Sequence, residues 1–116
     1  MRALSLLLAF LMLAAFAAPT FAQSDVNRTA ADKLVQDGLL LARTKKFREA
    51  IKKFEDAFKL YPHPEIQHNL ARAHEELGEL VKAYEYFSQA LKSDYTFAAQ
   101  GRERLTKLDV ELRKTH

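Results

Sequence analysis

Residues 47–62 read FREAIKKFEDAFKLYP, and residues 80–95 read LVKAYEYFSQALKSDY. The two stretches align position by position when Leu80 is placed on Phe47. The apolar residues that are then identical are Ala50 and Ala83, Phe54 and Phe87, and Ala57 and Ala90. Self-similarity at a period of about 20 to 50 residues is typical of stacked supersecondary units. The chain is therefore predicted to contain one helical element twice.

The first copy has the pattern of an amphipathic helix. Its apolar residues recur at steps of three and four residues and share one face, while charged residues take the other face. The small Ala50 and Ala57 allow a second helix to approach closely, and Phe54 fills the space between the two helices. Because a proline cannot continue a helix, Pro62 ends this one after Tyr61. The pattern predicts a helix over residues 47–61 with its alanine and phenylalanine face buried.

Four other helices are predicted, so the expected fold class is all-α. Gly38 in the first helix is expected to permit close approach of a neighbour, and Pro64 suits the first position of the third helix. Gly78 is a typical left-handed residue at the end of that helix. Residues 23–28 are polar and residues 43–46 form a turn. The additional helices are predicted at about residues 29–42, 64–77, 80–93 and 96–113.

Residues 1–22 have the layout of a secretory signal peptide. Arg2 is followed by an apolar run over residues 3–18 and by a small-residue site that ends at Ala22. The alternative is an uncleaved membrane anchor, but the run is shorter than the roughly 20 residues that a spanning helix needs. We therefore expect cleavage after Ala22, export to the periplasm or the medium, and a mature domain of residues 23–116. The chain has no cysteine, so its stability must come from packing without disulfide bonds.

Composition and spacing argue against several classes of function. Without Arg2 the chain has 17 basic and 15 acidic residues, a balance that does not suggest nucleic acid as a partner. His63, His68 and His74 are spaced by five and six residues, whereas a helical zinc pair needs a spacing of three or four. The sequence also has no glycine-rich phosphate loop and no nucleophile elbow. We therefore expect no metal, no cofactor and no enzymatic activity.

The alternation of helix, short turn and helix with these residues resembles the tetratricopeptide repeat, whose period is about 34 residues. The resemblance implies a short α-solenoid of two antiparallel helix–turn–helix units and a C-terminal capping helix. The units would cover about residues 31–63 and 64–96, and the cap about residues 97–113. Tyr95 stands where the closing proline of the family is expected. The matching residues are Leu34, Gly38, Phe47, Ala50, Phe54, Ala57 and Pro62 in unit one, and Leu70, Ala71, Gly78, Ala83, Phe87 and Ala90 in unit two.

In this family the first helices of successive units line a concave groove that binds extended peptides or a helix of a partner. Together with the predicted signal peptide and the absence of catalytic motifs, the resemblance implies a short exported adaptor of bacterial type that binds a protein or peptide ligand and catalyses nothing. The charged clamp by which some members hold a C-terminal carboxylate is only partly present, because Val35 and Leu39 replace its Lys and Asn. That ligand is not predicted. Transferred to this sequence, the groove residues are Val35, Leu39, Arg43, Glu65, His68, Asn69, Arg72, Glu76 and Arg102.

Two alternatives to this adaptor hypothesis remain open. The first is a surface-associating structural protein that binds anionic lipid or an envelope polymer through a basic turn. Membrane contact is not expected under the adaptor hypothesis, where the same turn is only a solvated outer face. The second is self-association through an incompletely covered first helix, with Leu39 and Leu40 exposed. The basic turn consists of Arg43, Lys45, Lys46, Arg48, Lys52 and Lys53.

Overall fold

The computed structural model describes residues 21–115 of the 116-residue chain. Residues 1–20, which hold most of the predicted signal peptide, and His116 lie outside the described residues. The described part consists of five helices and the turns between them, without any strand, which confirms the predicted all-α class. The helices are α1 (Phe21–Arg43), α2 (Phe47–Leu60), α3 (Pro64–Glu76), α4 (Leu80–Ala90) and α5 (Ala98–Thr115).

Each helix packs against the next one along the chain, which is the arrangement of a helical solenoid. Turns of three residues separate α1 from α2, α2 from α3 and α3 from α4, so these neighbours run antiparallel. We call α1 with α2 unit one and α3 with α4 unit two. None of the helices in the described part is long and apolar enough to cross a membrane.

The repeated aromatic residue is the centre of each unit's core. Phe54 and Phe87 are among the largest fully buried side chains of the protein. Helix α3 contributes to both cores, because Leu70 packs in the cluster around Phe54 whereas Ala71 packs in the cluster around Phe87. Leu108 of α5 joins the second cluster and closes that end of the stack. The repeated face is therefore buried, as the sequence pattern predicts.

Gly38 confirms the expected close approach between α1 and α2. A Cβ atom at this position would lie only 2.5 Å from Cε1 of Phe54. Since the Phe54 ring is itself buried, it has no free space into which it could move. Phe54 can therefore occupy the centre of unit one only because residue 38 of α1 is a glycine.

The turns within the two units use the same backbone conformation with different residues. Gly78 has a φ of 74° after the end of α3, as predicted. Lys45 has a φ of 61° in the corresponding turn after α1, where the sequence predicts only a turn. For a residue with a side chain, this left-handed conformation is disfavoured by about 1–2 kcal/mol. Unit one thus contains a strained backbone position that unit two avoids.

Four helix ends differ from the predictions by two residues or more. Helix α1 includes the polar residues 23–28, which precede its predicted start at about residue 29, because adding a residue to an existing helix gains one hydrogen bond at little entropic cost. Helix α4 ends at Ala90 instead of Ser93, because the amides of Lys92 and Ser93 donate to carbonyls three residues earlier. Helix α5 begins at Ala98 instead of Thr96 and extends to Thr115. The predicted start of α3 at Pro64 is confirmed.

Candidate functional site

Two adjoining cavities lie between α1 and α3, where residues of α2 also line the first cavity and residues at the start of α5 also line the second. Their volumes are about 490 Å³ and 450 Å³. Leu39, Asn69 and Arg72 line both cavities, so we treat the two as one inner groove. The other lining residues are Ala42, Arg43, Lys45, Phe47, Phe54, Ala73 and Glu76 in the first cavity, and Val35, Gln36, Glu65, His68, Phe97, Gln100 and Arg104 in the second.

Helical spacing explains why these side chains meet in the inner groove. Val35 and Leu39 are four residues apart on α1, and Asn69 and Arg72 are three apart on α3, so each pair shares one helix face. The opposite faces of α1 and α3 are occupied by packing against α2 and α4. The first helices of the two units are thereby left to form the walls of the groove, as the resemblance implies.

Eight of the nine predicted groove residues line the inner groove. The exception is Arg102, which is exposed on α5 and lines neither cavity. Gln100 and Arg104 line the second cavity in its place. Two residues along a helix correspond to about 200° of rotation, so Arg102 and Arg104 point to different sides of α5. The placement of Arg102 is therefore corrected, and binding by the other eight residues stays a prediction.

His68 forms the floor of the second cavity and is not a free side chain on its surface. Its exposed fraction is 4%, and its Nδ1 lies 2.8 Å from Oη of Tyr95. The ring of Phe97 stacks on it with 5.6 Å between centroids and an angle of 29°. Burial, reinforced by the charges of Arg72 and Arg104, lowers the pKa of His68 from 6.5 to about 4. His68 is therefore neutral at pH 7 and belongs to the groove as a buried ring.

Tyr95, in the loop before α5, hydrogen-bonds to His68 at the floor of the second cavity. The residue is buried, and burial raises the pKa of its hydroxyl, which keeps its proton at neutral pH. When the proton of the neutral His68 ring is on Nε2, the Tyr95 hydroxyl donates to Nδ1. Gly101 of α5 lies beside the same hydroxyl and leaves room for it. Tyr95 thus replaces the proline expected from the family pattern with a buried hydrogen-bonding side chain.

Phe97, Gln100 and Arg104 are groove residues that sequence reasoning missed. Phe97 was predicted only to lie within the last helix, yet 42% of its surface is exposed at the edge of the second cavity. The exposure of this large aromatic ring is the signal that could have identified Phe97 as a groove residue. Arg104 bonds to the carboxylate of Glu75, so its charge is already neutralised within the protein. No sequence pattern indicated that contact.

Arg72 differs from Arg104 because its charge is unpaired. Its side chain is exposed between the two cavities, and it forms no ion pair with any residue in the described part of the chain. Its charge nevertheless affects the site, since it helps to lower the pKa of His68. The middle of the inner groove is therefore locally electropositive.

The predicted basic turn does not form one uniform patch. Arg43 and Lys45 line the first cavity. Arg48 donates to Oε1 of Glu79 at 3.0 Å, and Lys53 is partly buried. Lys46 and Lys52 are exposed and form no ion pair with a described residue. Only part of the predicted turn is therefore available to an external anion.

Outside the groove, Glu79 connects the two units. Its Oε1 accepts hydrogen bonds from Arg48 of α2 and from Nδ1 of the buried His74, at 3.0 and 2.9 Å. These bonds, the one from Arg48 first, lower the pKa of Glu79 to about 2. The ionised carboxylate can only accept, so Nδ1 of His74 carries a proton. His74 is thus a packed, hydrogen-bonded residue.

The remaining predictions concern the first helix and metals. Leu40 has 57% of its surface exposed, whereas Leu39 is partly buried in the groove, so only one of the two predicted contact residues is free. Self-association through this face stays a prediction.

Among residues 21–115 no group of three or more histidine or acidic side chains has the geometry of a metal site.

The comparison with known families supports the repeat interpretation of unit two. Residues 64–97 match the family model of the tetratricopeptide repeat. A search of curated proteins found no match to the chain. The matched segment begins with α3, includes α4 and ends at Phe97, so it contains the α3 wall of the inner groove. This match and the five-helix architecture support the resemblance of the chain to the tetratricopeptide repeat family.

Proposed function

We propose that the protein is an exported adaptor that binds a peptide or a helix of a partner protein in its inner groove. Tetratricopeptide repeats are protein–protein interaction modules, and their proteins are generally non-catalytic scaffolds. The observation that carries the proposal is the continuity of the two cavities across Leu39, Asn69 and Arg72. This continuity provides a binding surface along one face of α3, as a segment of a partner would require.

The lining of the inner groove supports a protein ligand. Leu39, Phe47 and Phe97 supply apolar surface, and Asn69 and Arg72 supply hydrogen-bond donors between them. Binding sites generally combine apolar walls with a few polar groups that fix orientation. The groove also extends over two cavities, so it suits an elongated segment better than a single compact molecule. We propose no catalysis there, because the one histidine of the groove is buried and engaged with Tyr95.

The test is site-specific photocrosslinking in the exported fraction of cells that produce the protein. A photoreactive phenylalanine analogue at Gln100 reports on the groove, and the same analogue at the exposed Gln89 of α4 is the matched control. We expect a discrete adduct from position 100 that is weakened by Arg72→Glu and is not formed from position 89. Equal adducts from both positions, or an adduct from position 100 that does not respond to Arg72→Glu, would contradict groove binding.

Export is the part of the proposal that rests on residues 1–22. The expected result is a mature protein in the exported fraction whose N-terminal residue is Gln23. N-terminal sequencing of the purified protein checks this directly. A protein that retains the segment up to Ala22 and sediments with membranes would instead support the anchor alternative.

A second candidate function is the binding of an anionic lipid or polymer by the basic turn. The observation that favours it is the exposure of Lys46 and Lys52 without an ion pair among the described residues. Cosedimentation with vesicles containing anionic lipid should then fall as salt rises. The doubly substituted Lys46→Glu, Lys52→Glu variant should lose binding, while Lys82→Glu, Lys92→Glu, which changes two exposed lysines elsewhere, should retain it. Binding that is insensitive to salt and to both variants would exclude this function.

A further inference from the structure

We propose that the inner groove recognises an internal segment of its partner in which one acidic side chain is flanked on both sides by apolar side chains. The acidic group would bond to Arg72, and the apolar groups would enter the two cavities. This inference rests on the proposed function and specifies its ligand. A free carboxyl terminus is not part of it.

The position of Arg72 predicts where the acidic group of the ligand binds. The side chain lines both cavities, is exposed and has no ion-pair partner in the described part of the chain. Asn69 is three residues earlier on the same face of α3 and adds a neutral amide. A guanidinium group is suited to bidentate bonds with a carboxylate, and such charge-assisted bonds are about twice as strong as neutral ones. The centre of the groove is therefore complementary to a carboxylate.

The charges of the groove favour an acidic group at its centre. Glu65 lies in the first turn of α3 and lines the second cavity, while Glu76 is the last residue of α3 and lines the first together with Arg43 and Lys45. At a rise of about 1.5 Å per residue, Arg72 lies about 10 Å from Glu65 and about 6 Å from Glu76 along the helix. An acidic side chain in the second cavity would approach Glu65, whereas one in the first would meet both Glu76 and the two cations. Arg72 is the cation that both cavities share, so it can bind an acidic side chain placed between them.

Apolar side chains complement the two cavities. The first cavity has walls from Leu39, Phe47 and Ala73. The second has a floor of Phe97 stacked on His68, whose lowered pKa keeps that ring uncharged at pH 7. An apolar side chain placed there would cover the exposed ring of Phe97 and remove its surface from water. Each cavity is therefore complementary to an apolar side chain, while the acidic side chain binds Arg72 between the two cavities.

The arrangement also explains why the ligand should be internal. Cavities lie on both sides of Arg72, so the partner's chain must continue in both directions from the residue that contacts it. A terminal carboxylate at Arg72 would leave one cavity empty. In an extended segment, residues two apart face the same side at a spacing of about 6–7 Å. Apolar residues about two or three positions before and after the acidic one therefore match the site.

The test is a selection of random twelve-residue peptides that are inserted into a loop of a carrier protein, so that neither end is free. The purified wild-type protein, Arg72→Glu and Arg102→Glu are used in parallel. Arg102→Glu is the matched control, because it makes the same change at an exposed arginine that lines neither cavity. Circular dichroism of all three confirms that the helices are retained.

The expected outcome is a reversal of charge preference. The wild type and Arg102→Glu should select Asp or Glu between apolar residues, whereas Arg72→Glu should select Lys or Arg at the same position. A misfolded variant cannot gain such a preference. Replacement of the acidic residue by its amide in a selected synthetic peptide should weaken binding to the wild type by about tenfold and leave binding to Arg72→Glu nearly unchanged.

Other outcomes would overturn the inference. If the selected peptides lack an acidic residue, or if the wild type and Arg72→Glu select the same peptides, Arg72 does not determine which ligand binds. Binding that requires a free carboxyl terminus would exclude an internal segment. If the selection yields nothing while the Gln100 adduct forms as expected, this inference fails and the proposed function stands. If both fail, the groove itself is not the binding site.

Discussion

Phe54 in unit one and Phe87 in unit two occupy corresponding positions and are exposed to only 1% and 0%. The alanines on either side of each ring are buried as well. The alignment that places Leu80 on Phe47 also superposes these two rings, and each ring packs in a cluster that includes the helix after its own unit, α3 for Phe54 and α5 for Phe87. The two units therefore solve the packing of their interior in the same way.

The same alignment pairs different residues in the turn, in the groove and at one position of the core. Lys45 corresponds to Gly78 in the turn, and Val35 corresponds to the buried His68 in the groove. Gly38, which touches Phe54, corresponds to Ala71. The packing of the repeated phenylalanine and alanines is thus shared between units, whereas the turn, the groove and the close contact at Gly38 differ. Properties that depend on the repeated residues should be equal in the two units, and properties that depend on the other positions should not.

The largest expected effect tests the equality of the two interiors. Phe54→Ala and Phe87→Ala should each destabilise the protein by about 3–5 kcal/mol, because each removes a fully buried ring and leaves a cavity. Equilibrium unfolding in urea, followed by circular dichroism, measures both. A loss below about 1 kcal/mol for either variant would show that the two cores are not equivalent.

The second expected effect is a pH dependence that belongs to unit two. The pKa of His68 is lowered to about 4, so between about pH 6.5 and 4 the unfolded chain binds a proton that the folded protein does not. Stability should therefore fall as the pH is lowered through this range, by at most about 3 kcal/mol. Burial opposes protonation, as do Arg72 and Arg104, while Glu65 partly offsets them and Tyr95 occupies Nδ1.

His68→Asn provides the comparison for this pH dependence. Asparagine can still bond to Tyr95 but does not titrate, as Val35 does not titrate at the corresponding position of unit one. Urea unfolding of both proteins at several values between pH 7 and pH 4 should give a flatter profile for the variant. Identical pH profiles would show that the burial of His68 does not control acid stability.

A third, smaller effect is expected from the contact between Gly38 and Phe54. Gly38→Ala should destabilise by about 1–3 kcal/mol, because the new methyl group overlaps a ring that cannot move. Ala71→Gly, the reciprocal exchange in unit two, should cost only about 0.5–1 kcal/mol through backbone entropy. The overlap interpretation also requires that Phe54→Leu reduce the cost of Gly38→Ala. Additive effects in that double variant would contradict it.

The smallest effect is expected in the two turns. Gly78→Ala should destabilise by about 1 kcal/mol, because alanine must adopt a left-handed backbone. Lys45→Gly should stabilise by up to about 1 kcal/mol for the same reason. Thermal unfolding of the two variants should shift in opposite directions. Shifts of the same sign would show that the turns are not equivalent in backbone strain.

The fold could be predicted from the sequence because its signals are local. Steps of three and four residues define the helices, and Pro64 and Gly78 mark a start and an end that the structure confirms. The left-handed conformation of Lys45 could not be predicted in this way, because it follows from the packing of α1 on α2. The start of α1 was missed for a related reason. Its polar residues give no apolar period, although they can extend an existing helix.

The candidate site was only partly predictable. Residues on α1 and α3 follow from helical spacing, and eight of the nine expected residues line the groove. Arg102 was placed wrongly because the side of α5 that faces the groove depends on how the preceding loop packs. In that loop, which ends two residues later than predicted, Tyr95 contacts His68 of α3. A contact between residues that are far apart in the chain, such as Tyr95 and His68, leaves no periodic pattern in a single sequence.

The carboxylate of Glu79 has a consequence for how the protein unfolds. In a linear array each unit contacts only its neighbours, so cooperativity depends on interactions that cross from one unit to the next. Glu79 accepts hydrogen bonds from Arg48 of unit one and His74 of unit two at the same oxygen. With a pKa of about 2 it remains ionised in acid, where most carboxylates have taken up a proton. The hydrogen bonds to Glu79 are therefore expected to link unit one and unit two over a wide range of pH.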